Sequence, residues 1–129
     1  MAGFTKVNLM DIESPSGDRP PGFEAKMARK HLDSQHLGVS YFRYPAGVRS
    51  PMAHSHREQE EAYVVVGGSG RAKVGGEVVE LARWDVLRVA PETVRAFEGG
   101  SDGMEVIAVG GPRPEGGDGV RSDEDVWAE

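Results

Sequence analysis

The sequence GVRSPMAHSHREQEEAYVVVGG, which runs from Gly47 to Gly68, decides both the fold class and the candidate site. Successive side chains of a β-strand point to opposite faces, so His54 and His56 project to the same side if this segment is extended. Neutral imidazole is a frequent ligand of transition metals, and one added carboxylate gives a two-histidine, one-carboxylate set with open coordination positions. The histidine pair therefore predicts a metal site.

Three glutamates that follow the pair are candidates for the carboxylate: Glu58, Glu60 and Glu61. Strict alternation from His56 favours Glu58 or Glu60. A turn through residues 57–60 would instead reset the alternation and present Glu61. Alternation alone leaves this choice open.

Outside this stretch, short runs rich in β-branched and aromatic residues recur between Gly and Pro residues. Such runs predict strands, and their regular spacing indicates an all-β sandwich or barrel. Gly75 and Gly76 suit a two-residue hairpin loop, because glycine tolerates the positive φ values of such loops. The glycine-rich segment 67–70 predicts a second turn. The predicted strands are 23–27, 39–44, 62–66, 71–74, 78–81, 86–89, 94–97 and 104–109. For 23–27 a helix is the alternative, because Ala25, Lys26 and Met27 also favour that conformation.

Length and composition indicate one domain. A chain of 129 residues fits a single core. We expect an N-terminal, partly extended arm over residues 1–22, a barrel over 23–110, and a flexible tail rich in Gly, Pro and acidic residues over 111–129.

Charge and residue usage exclude several classes of partner. The net charge of −6 and the lack of a Lys/Arg cluster argue against nucleic-acid binding. No stretch approaches the roughly 18 apolar residues of a membrane span, and residues 1–10 lack the apolar region of a signal peptide. There is no cysteine, which excludes disulfides and thiolate metal sites. We expect a cytoplasmic protein.

The stretch from Gly47 to Gly68 resembles the first motif of the cupin family. That motif reads Gly, five residues, His-x-His, three or four residues, Glu, six residues, Gly. Here one extra residue separates Gly47 from His54, and the four-residue spacing after His56 selects Glu61. The resemblance implies a double-stranded β-helix, or jelly-roll barrel, that holds a divalent transition metal (Fe, Mn, Ni or Zn) on His54, His56 and Glu61.

The second cupin motif is degenerate in this chain. Its five defining positions, which the family fills with Gly, Pro, Gly, His and Asn, are occupied by Trp84, Ala90, Glu92, Arg95 and Gly99. A weaker frame remains in Asp85, Val86, Val89, Pro91 and Phe97. The resemblance therefore extends from Phe23 to Val109 and is carried mainly by its first half.

Arg95 stands where the family supplies its last histidine ligand. Arginine keeps its proton and has no acceptor, so it cannot coordinate a metal. At ~4 Å and an effective dielectric constant of ~20, a dication and a guanidinium repel by about 8 kcal/mol. Arg95 therefore swings aside from a three-ligand metal, replaces the metal by pairing with Glu61, or binds an anionic ligand that also neutralises the metal.

The leading interpretation is a small-molecule-binding cupin with a metal site, whose ligand contacts Arg95, Tyr63 and Phe97. Tyr63 shares the face of Glu61 under alternation, and dioxygenase-type or isomerase-type chemistry would suit such a centre. The alternatives are a metal-free, non-catalytic module that binds an anion through Arg95, and a dimeric scaffold. The resemblance also implies a homodimer, with residues 4–9 as a strand that could pair with an exposed sheet edge.

Overall fold

A computed structural model of the chain describes residues 3–15, 17 and 19–128. Within these residues, a 3-10 helix covers Leu9–Asp11 and a short α-helix, α1, covers Arg29–Leu32. Neither is long and apolar enough to cross a membrane. The strands are β1 (Glu24–Met27), β2 (Gly38–Tyr44), β3 (Ala53–His56), β4 (Glu61–Val74), β5 (Glu77–Ala82), β6 (Val86–Val89), β7 (Arg95–Gly110) and β8 (Gly119–Ser122).

The strands form one curled antiparallel sheet, which confirms the all-β expectation. Its path is β1-β2-β7-β3-β8, and β4 joins it through β7 while also pairing with β5 and β6. The long strands β4 and β7 run side by side along most of their length. Gly75 and Gly76 form the loop between β4 and β5 with φ values of 55° and 86°, as their hairpin pattern predicts.

The glycine-rich segment 67–70 corrects one expectation, because it is a bend inside β4 rather than a turn between two strands. The pairing of β4 with β7 shifts register between Val65 and Gly67 and again between Gly68 and Gly70. Gly68 has a φ of 64°, and a Cβ there would lie 2.0 Å from the carbonyl oxygen of Gly103. Only glycine allows the two backbones to approach this closely.

This bend positions the site. Along the β4–β7 ribbon, Glu61 pairs with Gly110 at one end and Arg95 pairs with Val74 at the other. The bend folds the ribbon back on itself, so that the two ends meet at the same end of the barrel. The Tyr63 and Phe97 rings, each two residues inside its strand end, lie 4.7 Å apart between centroids.

The interior of the barrel is filled by side chains that alternate along the strands, as a half-buried sheet requires. Tyr44, Tyr63 and Phe97 form a chain of packed rings. The other buried members of the core are Val65, Ala72, Leu81, Val89, Met104, Val106 and Ala108.

One of the two terminal segments, the C-terminal one, differs from its sequence-based description. Residues 4–8 form no strand in this chain, and Phe4 is largely exposed. The segment expected to be a flexible tail contains β8, which pairs with β3 along its whole length. Its composition hides this strand, because β8 contains a single β-branched residue, Val120, and is stabilised by pairing rather than by intrinsic propensity.

Candidate metal centre

His54, His56 and Glu61 converge at the barrel end where the folded ribbon closes. Glu61 Oε1 lies 3.0 Å from His56 Nε2 and 3.8 Å from His54 Nε2. Two atoms bound to one ion at about 2.1 Å lie roughly 3.0 Å apart at a right angle and at most about 4.2 Å apart. The three ligand atoms all lie within 4.8 Å of one another, so these residues could hold a metal ion after a small contraction.

The turn between β3 and β4 explains why Glu61, not its neighbours, completes the set. Residues 57–60 leave the strand conformation, and β4 starts at Glu61. This turn resets the alternation, so Glu61 faces the interior while Glu58 and Glu60 are exposed. Glu60 forms an ion pair with Arg88 instead. It therefore lies outside the site and cannot act there as a ligand or as a proton acceptor.

The two ring nitrogens of His56 are in different situations. His56 Nδ1 lies 2.8 Å from Asp118 Oδ1, whereas the buried Nε2 has no hydrogen-bond partner of acceptable geometry in the described chain, despite its short distance to Glu61. A metal-bound histidine has this pattern, because its second ring nitrogen donates to a carboxylate while the first faces the ion. The buried Nε2, which faces Glu61 Oε1 at 3.0 Å without a well-aligned hydrogen bond, therefore fits a metal ligand.

Asp118 is a residue of the site that the sequence did not reveal. Its side chain is 1% exposed, and its Oδ2 accepts hydrogen bonds from the backbone N–H groups of Glu58 and Gln59. Burial alone would raise its pKa, but these N–H groups and His56 lower the pKa to about 2. Asp118 lies 62 residues beyond His56 in an acidic segment, so no spacing or motif pointed to it.

Glu61 and Tyr63 form a second contact within the site. Tyr63 Oη donates a 2.6 Å hydrogen bond to Glu61 Oε1. Burial alone would raise the pKa of Glu61. Hydrogen bonds with His54, His56 and Tyr63 have the larger opposite effect and hold this pKa well below its usual range. Burial and Glu61 also raise the pKa of Tyr63 well above its ordinary value, so this hydroxyl keeps its proton.

His56 responds to the same two carboxylates. Glu61 raises the pKa of the imidazole, burial opposes this effect, and Asp118 adds to the increase. His54 is more open, with a side chain 34% exposed against 12% for His56. A ligand would therefore approach the centre from the His54 side.

Arg95 lies opposite His54 in the β3–β7 pair and is completely buried. Its Nη1 and Nη2 donate to the carbonyl oxygens of Pro91 and Ala90, at 3.5 and 3.2 Å. In the described part of the chain no carboxylate forms an ion pair with it, so the Arg95–Glu61 pair considered from the sequence is not formed. The pair does not form because the guanidinium is turned toward the carbonyl oxygens of the loop before β7. This is the first of the three arrangements expected from the sequence, in which Arg95 swings aside from a three-ligand metal.

The remaining predicted ligand-binding residues lie beneath the ligand set. Tyr63 and Phe97 are 3% and 2% exposed, and their rings pack against each other. Both residues belong to the buried core of the barrel. Their contact with a bound molecule stays a prediction.

Comparison with solved structures identifies the fold. A cupin protein from Bacteroides fragilis superposes with a TM-score of 0.71 at 22% identity, over 100% of this chain and 98% of that one. The chain has the cupin fold. A cupin-superfamily sugar phosphate isomerase from Silicibacter pomeroyi gives a TM-score of 0.73 at 20% identity, over 93% and 83% of the two chains. No protein-family model and no curated protein matches the sequence.

The chain is also similar in fold to about one third of a longer enzyme. Oxalate decarboxylase from Bacillus subtilis gives a TM-score of 0.77 at 16% identity, over 94% of this chain and 32% of that one. At these identities the similarity concerns the fold alone. The chemistry of this protein must therefore be inferred from its own residues.

Proposed function

We propose that this cupin binds a divalent transition metal through His54, His56 and Glu61 and uses it to hold an anionic small molecule. The observation that carries the proposal is the buried His56 Nε2, which makes no hydrogen bond of acceptable geometry with the described residues and lies in a set with His54 and Glu61. Two imidazoles and one carboxylate leave coordination positions for a ligand. Fe, Mn, Ni and Zn are all compatible with this donor set.

The charges of the site favour an anion once a metal is bound. A dication and Arg95 together contribute three positive charges, and Glu61 and Asp118 contribute two negative ones, which leaves one positive charge. Without the metal, the two carboxylates outnumber Arg95. This balance supports an anion-binding site that depends on the metal more than a metal-free module based on Arg95. The names of two structural neighbours, a sugar phosphate isomerase and an oxalate decarboxylase, also point to anionic molecules.

If the bound molecule reacts, we propose dioxygenase-type or isomerase-type chemistry. The metal would supply Lewis acidity or an oxygen-binding centre. Tyr63 would hold a proton on Oη beside Glu61, because its raised pKa keeps the hydroxyl neutral. Phe97 would exclude water from below.

Metal analysis tests the proposal. Protein purified without chelator should contain close to one transition metal ion per chain, and the double variant His54→Ala/His56→Ala should contain none. The matched control is His31→Ala/His36→Ala, which removes the two exposed histidines and should keep the metal. A wild-type site that added Fe²⁺, Mn²⁺, Ni²⁺ or Zn²⁺ cannot fill would reject the metal-dependent function.

Calorimetry with oxalate tests the preference for anions. The metal-loaded protein should bind oxalate, and its neutral analogue oxamide should bind at least about tenfold more weakly. Removing the metal with a chelator should abolish oxalate binding. Retention of oxalate by the metal-free protein would instead support the non-catalytic module based on Arg95.

We also propose a cytoplasmic homodimer, and the outer face of the sheet supports the dimer. Val64 of β4 pairs with Val86 of β6 on one side and with Ile107 of β7 on the other, and Val86 is 64% exposed. Exposed apolar sheet faces favour association. Light scattering should show a dimer that Val86→Asp converts to a monomer, whereas Val78→Asp, at an exposed position of β5, should not. A monomeric wild-type protein would reject both the dimer and the scaffold function.

A further inference from the structure

The strand that carries both histidines has little support from the body of the barrel. β3 pairs with β7 at a single position, His54 with Arg95, and His56 N–H donates to the Pro91 carbonyl oxygen. By contrast, β3 pairs with β8 at all four of its residues. Within the described chain, β8 pairs with no strand other than β3. The histidine strand is therefore held in register mainly by the C-terminal segment.

Asp118 adds a side-chain connection at the start of the same segment. One carboxylate oxygen contacts His56 Nδ1, and the other accepts from the N–H groups of Glu58 and Gln59 in the turn that leads to Glu61. Its own carbonyl oxygen accepts from the Arg57 N–H. A single residue thus holds the ring of one proposed ligand and the turn that presents another.

We propose that residues 118–122 act as a C-terminal clasp, in which Asp118 is a positioning residue and docking of the segment is coupled to metal binding. This inference rests on the proposed metal site. A docked clasp presents His56 Nε2 and Glu61 Oε1 toward one point, and an ion bound there holds β3 and the turn in the shape that the clasp fits. By linkage, each event strengthens the other by the same factor.

Substitution of Asp118 tests the positioning role. Carboxylates that hold a ligand histidine typically contribute 10–100-fold to metal affinity, so Asp118→Ala should weaken Zn²⁺ binding by about that factor in a chelator competition. The Zn²⁺ affinity of Asp118→Asn should lie between those of the wild type and Asp118→Ala, because the single side-chain oxygen of Asn cannot accept from both His56 and the turn. The matched control is Asp123→Asn, which removes an exposed carboxylate from the residue that follows the clasp and should leave Zn²⁺ affinity unchanged.

A spectroscopic signature separates positioning from general stability. In Zn²⁺-loaded wild-type protein, the His56 Nδ1 proton should give a downfield proton NMR signal that exchanges slowly with water, since it is hydrogen-bonded to a buried carboxylate. The signal should be lost in Asp118→Ala and kept in Asp123→Asn. Persistence of the signal in Asp118→Ala would overturn the assignment.

Hydrogen exchange of the wild-type protein tests the coupling without any variant. Saturating Zn²⁺ should slow exchange of the β8 amides by at least about tenfold relative to the amides of β5, whose one partner among the described strands is β4. Equal exchange of β8 with and without bound Zn²⁺ would overturn the clasp while leaving the metal site intact. Failure of the wild-type protein to bind Zn²⁺, Mn²⁺, Fe²⁺ or Ni²⁺ would overturn the metal function and the clasp together.

Discussion

Tyr63 Oη donates a hydrogen bond to Glu61 Oε1, the same oxygen atom that faces the Nε2 atoms of His54 and His56. This hydrogen bond joins the packed interior of the barrel to the candidate metal centre. The ring of Tyr63 is fixed against Phe97, so the hydroxyl also fixes the rotamer of Glu61.

Tyr63→Phe should therefore weaken metal binding several-fold while keeping the fold. The ring packing remains, but Glu61 loses a donor and the free energy of unfolding falls by about 1 kcal/mol. Chelator competition and chemical denaturation would measure the two effects. Tyr44→Phe, in the same core, should leave metal affinity unchanged, because the Tyr44 hydroxyl forms no hydrogen bond with the described residues. Equal effects of the two substitutions would contradict a specific role of Tyr63.

Arg95→His should raise metal affinity by at least about tenfold. The side chain enters the barrel opposite His54, so the substitution adds a third imidazole and removes a positive charge near the ion. Isothermal titration with Zn²⁺ and Mn²⁺ would measure the change. Arg88→His, on an exposed residue of β6 that pairs with Glu60, is the control and should have no effect. A folded Arg95→His protein with unchanged affinity would show that the position 95 side chain does not face the metal.

Trp84→Gly should stabilise the protein by about 0.5–1 kcal/mol. Trp84 has a φ of 74° in the turn between β5 and β6, a conformation that costs a side-chain-bearing residue roughly 1–2 kcal/mol. The loss of its exposed stacking with Arg83 offsets part of the gain. Urea denaturation would measure the shift, with Arg83→Gly as a control that should not stabilise. A less stable Trp84→Gly protein would mean that the indole packs more than its exposure indicates.

Glu98→Gln should make the stability of the protein less sensitive to acid. Hydrogen bonds from Arg71, and then from Arg49, outweigh burial and lower the pKa of Glu98. Because the folded-state pKa is below the unfolded one, this stabilisation is present at neutral pH and is lost as the pH falls below about 4. Thermal denaturation between pH 7 and pH 3 should show a lower melting temperature for the variant at pH 7 and convergence with the wild type in acid. Glu77→Gln, in the exposed hairpin, is the control, and parallel curves at all pH values would refute the expectation.

The sequence predicted the parts of this site that depend on local periodicity. The two-residue spacing of His54 and His56 fixed their common face, and the four-residue spacing selected Glu61 once the cupin resemblance was recognised. The glycine pair at 75–76 likewise predicted its hairpin. These features depend on strand alternation or turn chemistry, which act over a few residues.

The features that were missed depend on contacts between distant segments. The bend at residues 67–70 reads as a turn, because only the close approach of Gly103 shows that β4 continues through it. Asp118 reaches His56 because β8 pairs with β3, and neither partner carries a strong strand signal. The direction of the Arg95 guanidinium is set by two backbone carbonyl oxygens, and no pattern of side chains encodes it.

The fluorescence of Trp127 can report whether the C-terminal residues are attached to the barrel. Its ring lies 4.9 and 5.1 Å from the guanidinium carbons of Arg49 and Arg71, both of which pair with Glu98 on the barrel. The chain contains only one other indole, Trp84, which is exposed in its turn. A Trp84→Phe protein would therefore emit fluorescence from Trp127 alone. Its emission would follow the attachment and release of the C-terminal residues in real time and without a label.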